Sequence, residues 1–196
     1  MLDRRFFMGG LGGALIFPAL PSFAITQSGA SKLINSVVRD INEVIASGKS
    51  ENAIFKEFER IFKRYSDTSY ISAYAMGVDG RRATSAQKRA FSAAFQAYLA
   101  RKYGKRFREF LGGRLEVQKV KPVKSWYEVS TIAYLRNESS FEVTFHVSDR
   151  AGKNLFFNMF IEGVNLLLTE RTEIGALIDR NGGNIDAMIA DLRKTS

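Results

Sequence analysis

An α+β fold, with helices packed on the concave face of a curved four-stranded antiparallel sheet, is what this chain predicts on three observations. From Lys32 to about residue 112 the apolar residues recur at spacings of three and four, the helical period. From Arg114 the period changes to alternation, in four runs rich in β-branched and aromatic residues and separated by turn-formers. After the fourth run the helical period returns and holds to Lys194. Sequential strands joined by short turns make an antiparallel meander, and helices on both sides of it in 196 residues make one domain.

The elements follow in order. The first 24 residues, MLDRRFFMGGLGGALIFPALPSFA, read as a cleavable export signal. Arg4 and Arg5 supply its positive end, Gly9 to Leu20 a short apolar stretch, and Ser22-Phe23-Ala24 the small residues before a cut. An apolar stretch of about twelve residues is too short to span a bilayer core of about 30 Å as a helix. The paired arginines before Phe6-Phe7-Met8 resemble a twin-arginine signal, which places residues 25–196 in the bacterial periplasm as a single domain. The glycines of GGLGG follow no strand and carry no phosphate-loop signal.

Residues 25–31, ITQSGAS, are small and polar and predict a flexible lead. Lys32 to Ala46 sets Leu33, Val37, Ile41, Val44 and Ile45 on one helical stripe, stopped by Ser47-Gly48. Residues 51–65 repeat the pattern with Phe55, Phe58, Ile61, Phe62 and Tyr65. A turn and a short helix ending at Gly77 follow. Thr84 and Gln87 then form a capping box that opens the longest helix, with Phe91, Ala94, Phe95, Tyr98 and Leu99 on one face and a break at Gly104. The four strand runs are LEVQKVKPV, SWYEVSTIAYL, SFEVTFHVSD and NLFFNMFIEGV. In the third, Phe141, Val143, Phe145 and Val147 face the core and Glu142, Thr144 and His146 face away. A helix around Thr172 to Arg180, a stop at Asn181-Gly182-Gly183 and a last amphipathic helix from Ile185 to Lys194 close the chain.

Composition narrows the chemistry. With no Cys there are no disulfides, thiolate nucleophiles or Cys-based zinc sites, and a single His leaves no His-rich metal site. Asp67, Asp79, Glu128 and Glu162 are scattered without an acid–base spacing. The sequence marks no catalytic residue, no metal ligand and no cofactor. One enzymatic alternative stays open: cone-shaped sheets of the nuclear-transport-factor type, with helices across the mouth, host enzymes with a buried Asp–His pair, and Asp67 with His146 is the pair this chain offers. On its strand pattern alone, His146 is a solvent-facing side chain. The net charge of +9 points to anionic partners, and loss of Asp3, Arg4 and Arg5 with the leader leaves +8. In a periplasm nucleic acid is not the partner. The run 101–108, RKYGKRFR, sets Arg101, Lys105 and Arg108 on one helical face, with Arg81, Arg82, Lys119, Lys121 and Lys124 adding positive surface. Sixteen Phe against one Trp favour a wide, dry interior, either a filled core behind a basic docking face or a cavity.

Two stretches carry a family resemblance. EGVNLLLTERTEIGALIDRNGG (162–183) is similar to the E-G-V-[SN]-L/M, T-x-x-x-E-x-G-x-L and Gly-rich stop of the MlaC family. Those are periplasmic phospholipid-binding proteins, also described as toluene-tolerance proteins. Residues 66–104 resemble the family's F-D-x-x-x-[IM] to Q-[RK]-x-x-F-x-x-x-F segment, with Asp67, Ile71, Gly77, Arg82, Ala83, Thr84, Gln87, Lys88, Phe91 and Phe95 in place. Ser66 stands where an aromatic is common and Arg81 where Trp is usual. The resemblance implies a monomeric, non-enzymatic shuttle for phospholipid. Its implied partners are an outer-membrane lipoprotein complex and the inner-membrane MCE-domain protein of an ABC transporter. It also implies a pocket between the sheet and the helices that takes acyl chains. On that reading the apolar wall is Phe58, Phe62, Tyr74, Phe91, Phe95, Tyr98, Val129, Phe145, Phe157, Met159, Ile161 and Val164. Headgroup or partner docking falls to Arg82, Arg101, Lys105 and Arg108. The greasy stretch 155–170 is then one wall of a lipid container, because an acyl tail asks only for apolar surroundings.

Overall fold

The computed structural model describes residues 25–104, 113–136 and 139–195. The leader 1–24, Lys105 and Arg108, and the Asn137-Glu138 turn lie outside the described residues. The helices are α1 (Gln27–Ala46), α2 (Glu51–Tyr65), α3 (Thr68–Met76), α4 (Ser85–Gly104), α5 (Leu166–Arg180) and α6 (Ile185–Lys194), with a 3-10 turn at Gly77–Arg81. The sheet is a five-stranded antiparallel meander in the order β1 (Arg114–Val123), β2 (Trp126–Tyr134), β3 (Phe141–Ser148), β4 (Leu155–Ile161) and β5 (Val164–Asn165).

Two expectations are corrected here. Residues 27–31 are helical, because Thr26 accepts a hydrogen bond from the Gly29 N–H and caps a helix that starts five residues early. Ala30 in that first turn is wholly buried, a contact too small to register as an apolar stripe. The stretch after β4 does not run on as one strand. Glu162 and Gly163, both at positive φ, form a two-residue hairpin that pairs Val164 back onto Ile161. Asn165 then caps α5 by accepting from the Leu168 N–H. The triplet Leu166–Leu168 is therefore the first turn of a helix that starts six residues before the expected Thr172.

The capping box at the head of α4 is present: Thr84 N–H donates to Gln87 Oε1 at 2.9 Å and Gln87 N–H to Thr84 Oγ1 at 3.2 Å. The inward face of β3 is Val143, Phe145 and Val147, packed against β2 through Val129 and Thr131. α1 lies along β1, where the Asn42 amide exchanges two hydrogen bonds with the Leu115 backbone. α4 runs between α2, α3 and α6 and buries Phe91, Phe95, Tyr98 and Leu99. A one-residue register shift between His146 and Val147 bulges β4 at Phe156–Phe157. That bulge sets the geometry of the site.

Candidate functional site: an apolar cavity with a carboxylate in its wall

Between β4 and the helices lies a cavity of about 130 Å³. α1 contributes Val37 and Ile41, α2 Phe58, Ile61 and Phe62, and α3 Ile71. The last turn of α4 gives Leu99, Ala100, Tyr103 and Gly104, and β3 gives Phe145. β4 adds Phe156 to Met159, and the head of α5 adds Leu166, Leu167 and Glu170. Side chains of five helices thus converge on β3 and β4. Their apolar faces do not close completely over them.

Three lining side chains carry polar atoms. Asn158 Oδ1 accepts from the backbone N–H groups of Met159 and Leu167, tying β4 to the start of α5. Tyr103 donates its hydroxyl to Glu170 Oε1. Glu170 is 3% exposed, and the same Oε1 accepts from Lys102 Nζ at 2.7 Å. Its Oε2 is buried with no hydrogen-bond partner. Lys102 also reaches Glu173 Oε2 at 2.6 Å, and Tyr98 donates to that oxygen at 2.7 Å. Burial lowers the Lys102 ammonium, but hydrogen bonds to Glu170 and Glu173 outweigh it and hold Lys102 above its ordinary range. Burial and the neighbouring carboxylates push the Tyr98 and Tyr103 hydroxyls up. Burial raises Glu173, and the bonds from Lys102 and Tyr98 bring it below the usual carboxylate range. At one end, then, the dry cavity meets a charged network reaching the surface.

A family model described as "MlaC protein" matches residues 32–194. The chain belongs to the MlaC family. In fold, this MlaC chain is similar to the phospholipid-binding protein from Ralstonia solanacearum, solved in complex with a phospholipid. The TM-score is 0.73 at 16% identity, over 85% of this chain and 96% of that one, so the likeness is one of architecture. Among the described residues no helix is long and apolar enough to cross a membrane, and no three His, Asp or Glu gather as metal ligands would.

Of the side chains expected to form the wall of this MlaC cavity, Phe58, Phe62, Phe145, Phe157 and Met159 line it. The others stand elsewhere. Phe91 and Phe95 are wholly buried in a stacked pair, ring centroids 5.1 Å apart, filling the interior around α4. Tyr98 stacks on Phe95 and sends its hydroxyl to Glu173, one shell behind the cavity. Val129 is wholly buried in the sheet. Ile161 packs at the end of β4, and Tyr74 lies half-buried under the Arg171 guanidinium. Val164 is 54% exposed, because the β4–β5 hairpin turns it outward.

The expected docking face also changes. Arg101 donates to the carbonyls of Leu192 and Thr195 and so closes the end of α6. Arg82 pairs with Asp79 at 2.8 Å, at the opposite end of α4 from the cavity, about 30 Å away along a 20-residue helix.

Nor do Asp67 and His146 form a pair. Asp67 Oδ1 caps α3 through the Tyr70 N–H and its Oδ2 lies 4.0 Å from Arg150. His146 is not solvent-facing: its ring packs at a tilt against Trp126 at 4.1 Å and Phe160 at 4.7 Å, with Glu128 Oε1 as the carboxylate facing it at 3.9 Å.

Sequence reasoning missed Phe156, Tyr103 and Glu170. Tyr103 carried a usable signal, since it stands four positions from Leu99, an expected core residue on the same helix. Glu170 carried none, because it precedes the expected helix start near Thr172. Phe156 carried none, because the bulge breaks the alternation that assigns faces.

Proposed function

We propose that this MlaC chain binds a phospholipid by its acyl part in the cavity between β4 and the helices, and carries it across the periplasm. The observation that supports this most directly is the cavity itself, an apolar space kept open among aromatic side chains in the fold of a phospholipid-binding neighbour. An acyl tail cannot hydrogen-bond, so a wall of Phe58, Ile61, Phe62, Phe156 and Met159 suits it. About eight buried methylenes would release about 6 kcal/mol before the cost of ordering the chain. That holds a lipid without making it irretrievable.

At about 130 Å³ the cavity is smaller than the roughly 300–1,000 Å³ of ordinary ligand pockets, so a lipid enters by spreading those walls. Unbranched Met159 and the edge-packed Phe62 and Phe156 rings, 5.8 Å apart, can re-pack to allow it. The chain acts as a monomeric carrier after its leader is removed. It exchanges cargo with an outer-membrane lipoprotein complex and with the inner-membrane MCE-domain protein of an ABC transporter, its net positive charge favouring acidic or anionic docking surfaces.

Native mass spectrometry of the mature protein purified from a bacterial periplasm tests the binding. One diacyl phospholipid mass per chain is the expected result. A bare polypeptide that takes up nothing from phospholipid vesicles would defeat it. Carriage is tested by faster lipid exchange between donor and acceptor vesicles when the protein is present.

A further inference from the structure

The wall of an apolar cavity is an expensive place for a carboxylate oxygen with no donor. Glu170 Oε2 is one: it is buried and has no hydrogen-bond partner among the described residues, on a residue that lines the cavity. Leaving a buried acceptor unmet is costly, and more so for a charged one. The other oxygen is fully occupied by Lys102 and Tyr103, so Glu170 cannot turn toward solvent without breaking both bonds. Among the described residues charge is also unbalanced there, because Glu170 and Glu173 share the Lys102 ammonium. The network grades from buried to exposed, with Lys102 at 29% and Glu173 at 46% side-chain exposure. It therefore stands where the polar part of an amphiphile would sit while its tail occupies the cavity.

We propose that Glu170 is a specificity-determining residue whose free Oε2 accepts a hydrogen bond from a protonated primary amine on the ligand's headgroup. This rests on the phospholipid reading above and adds a preference to it. A primary ammonium brings three donors and the missing positive charge. A quaternary ammonium brings charge but no donor, and a polyol headgroup brings hydroxyls but no charge. The cavity thus favours phosphatidylethanolamine over phosphatidylcholine of the same acyl chains, with phosphatidylglycerol behind the first.

The test incubates the lipid-free mature chain with vesicles containing equal amounts of the three lipids, matched in acyl chain, and reads the bound species by native mass spectrometry. Phosphatidylethanolamine is expected to exceed phosphatidylcholine about tenfold, the effect of one satisfied buried acceptor. Glu170→Gln should bring that ratio close to one. Glu170→Met, of similar length and without the charge, should load phosphatidylcholine at least as well as the unaltered chain does. This second variant keeps the test informative if the Gln variant folds poorly. Equal loading of phosphatidylethanolamine and phosphatidylcholine by the unaltered chain, or a preference that survives both substitutions, overturns the role of Glu170 alone. Phosphatidylglycerol loading equal to phosphatidylethanolamine overturns the amine in favour of a hydroxyl donor. Failure to load any of the three overturns the phospholipid reading and this preference with it.

Discussion

His146 is held among the rings of Trp126, Phe157 and Phe160, and burial keeps its imidazole below the ordinary range against a smaller opposite pull from Glu128. Above about pH 6.5 the ring is neutral in both the folded and unfolded chain. Below that the unfolded chain takes up its proton first, so stability falls with pH until the folded His146 is protonated too. His146→Phe should flatten this slope, measured as the difference in urea midpoint between about pH 7.5 and about pH 5.5.

Asp40 gives a second residue-level case. Burial raises its carboxyl, but hydrogen bonds from Tyr65 at 2.7 Å and Arg39 at 3.0 Å outweigh this and leave it below the usual range. Its stabilisation is present above the unfolded value of about 3.9 and is lost as pH falls through the folded one. Tyr65→Phe removes a donor from a 6%-exposed carboxylate and should cost about 1–3 kcal/mol in urea unfolding at neutral pH. Neither environment is visible in the sequence. A strand pattern says which way His146 points, not that Trp126 and Phe160 close over it.

At the scale of elements, the helices were legible wherever a cap or a wide stripe marked them. Thr84 and Gln87 announce α4, and the spacing of Phe55, Phe58, Ile61 and Phe62 announces α2. Two kinds of boundary were not legible. The first turn of α1 is made of Ser, Gly and Ala, whose burial leaves no apolar period. The head of α5 is three leucines, which suit a strand as well as a helix, and Asn165 alone decides the matter by capping. The basic face of α4 misled for a different reason. Arg101 reads as surface charge, yet its guanidinium serves the end of α6, ninety residues on. Arg101→Ala should therefore lower stability by about 1–3 kcal/mol through the lost charge-assisted bonds, seen as a lower thermal midpoint, while phospholipid loading of the folded protein stays unchanged.

For the molecule as a whole, the order of helices and strands and the presence of a dry interior could be read from the residues. Which aromatics bound the cavity and which fill the core could not, because both sets share one composition and one periodicity. Phe58 and Phe95 are alike as sequence, and only the close packing around α4 separates them. Mutation should separate them again. Phe95→Ala, at a wholly buried position away from the cavity, should cost about 3–5 kcal/mol. Met159→Trp, which builds into the cavity, should abolish loading by native mass spectrometry while the protein still unfolds cooperatively.

The bulge in β4 has an optical consequence. Phe157 lines the cavity and also meets, edge to face at 5.7 Å, the ring of Trp126, which rests on His146. Trp126 is the chain's single tryptophan. Excited at the red edge of aromatic absorption, the protein therefore carries one native fluorophore, a single ring removed from the cavity. A lipid that moves Phe157 on entering should change the colour and lifetime of that emission, so arrival and departure can be timed in solution without a label.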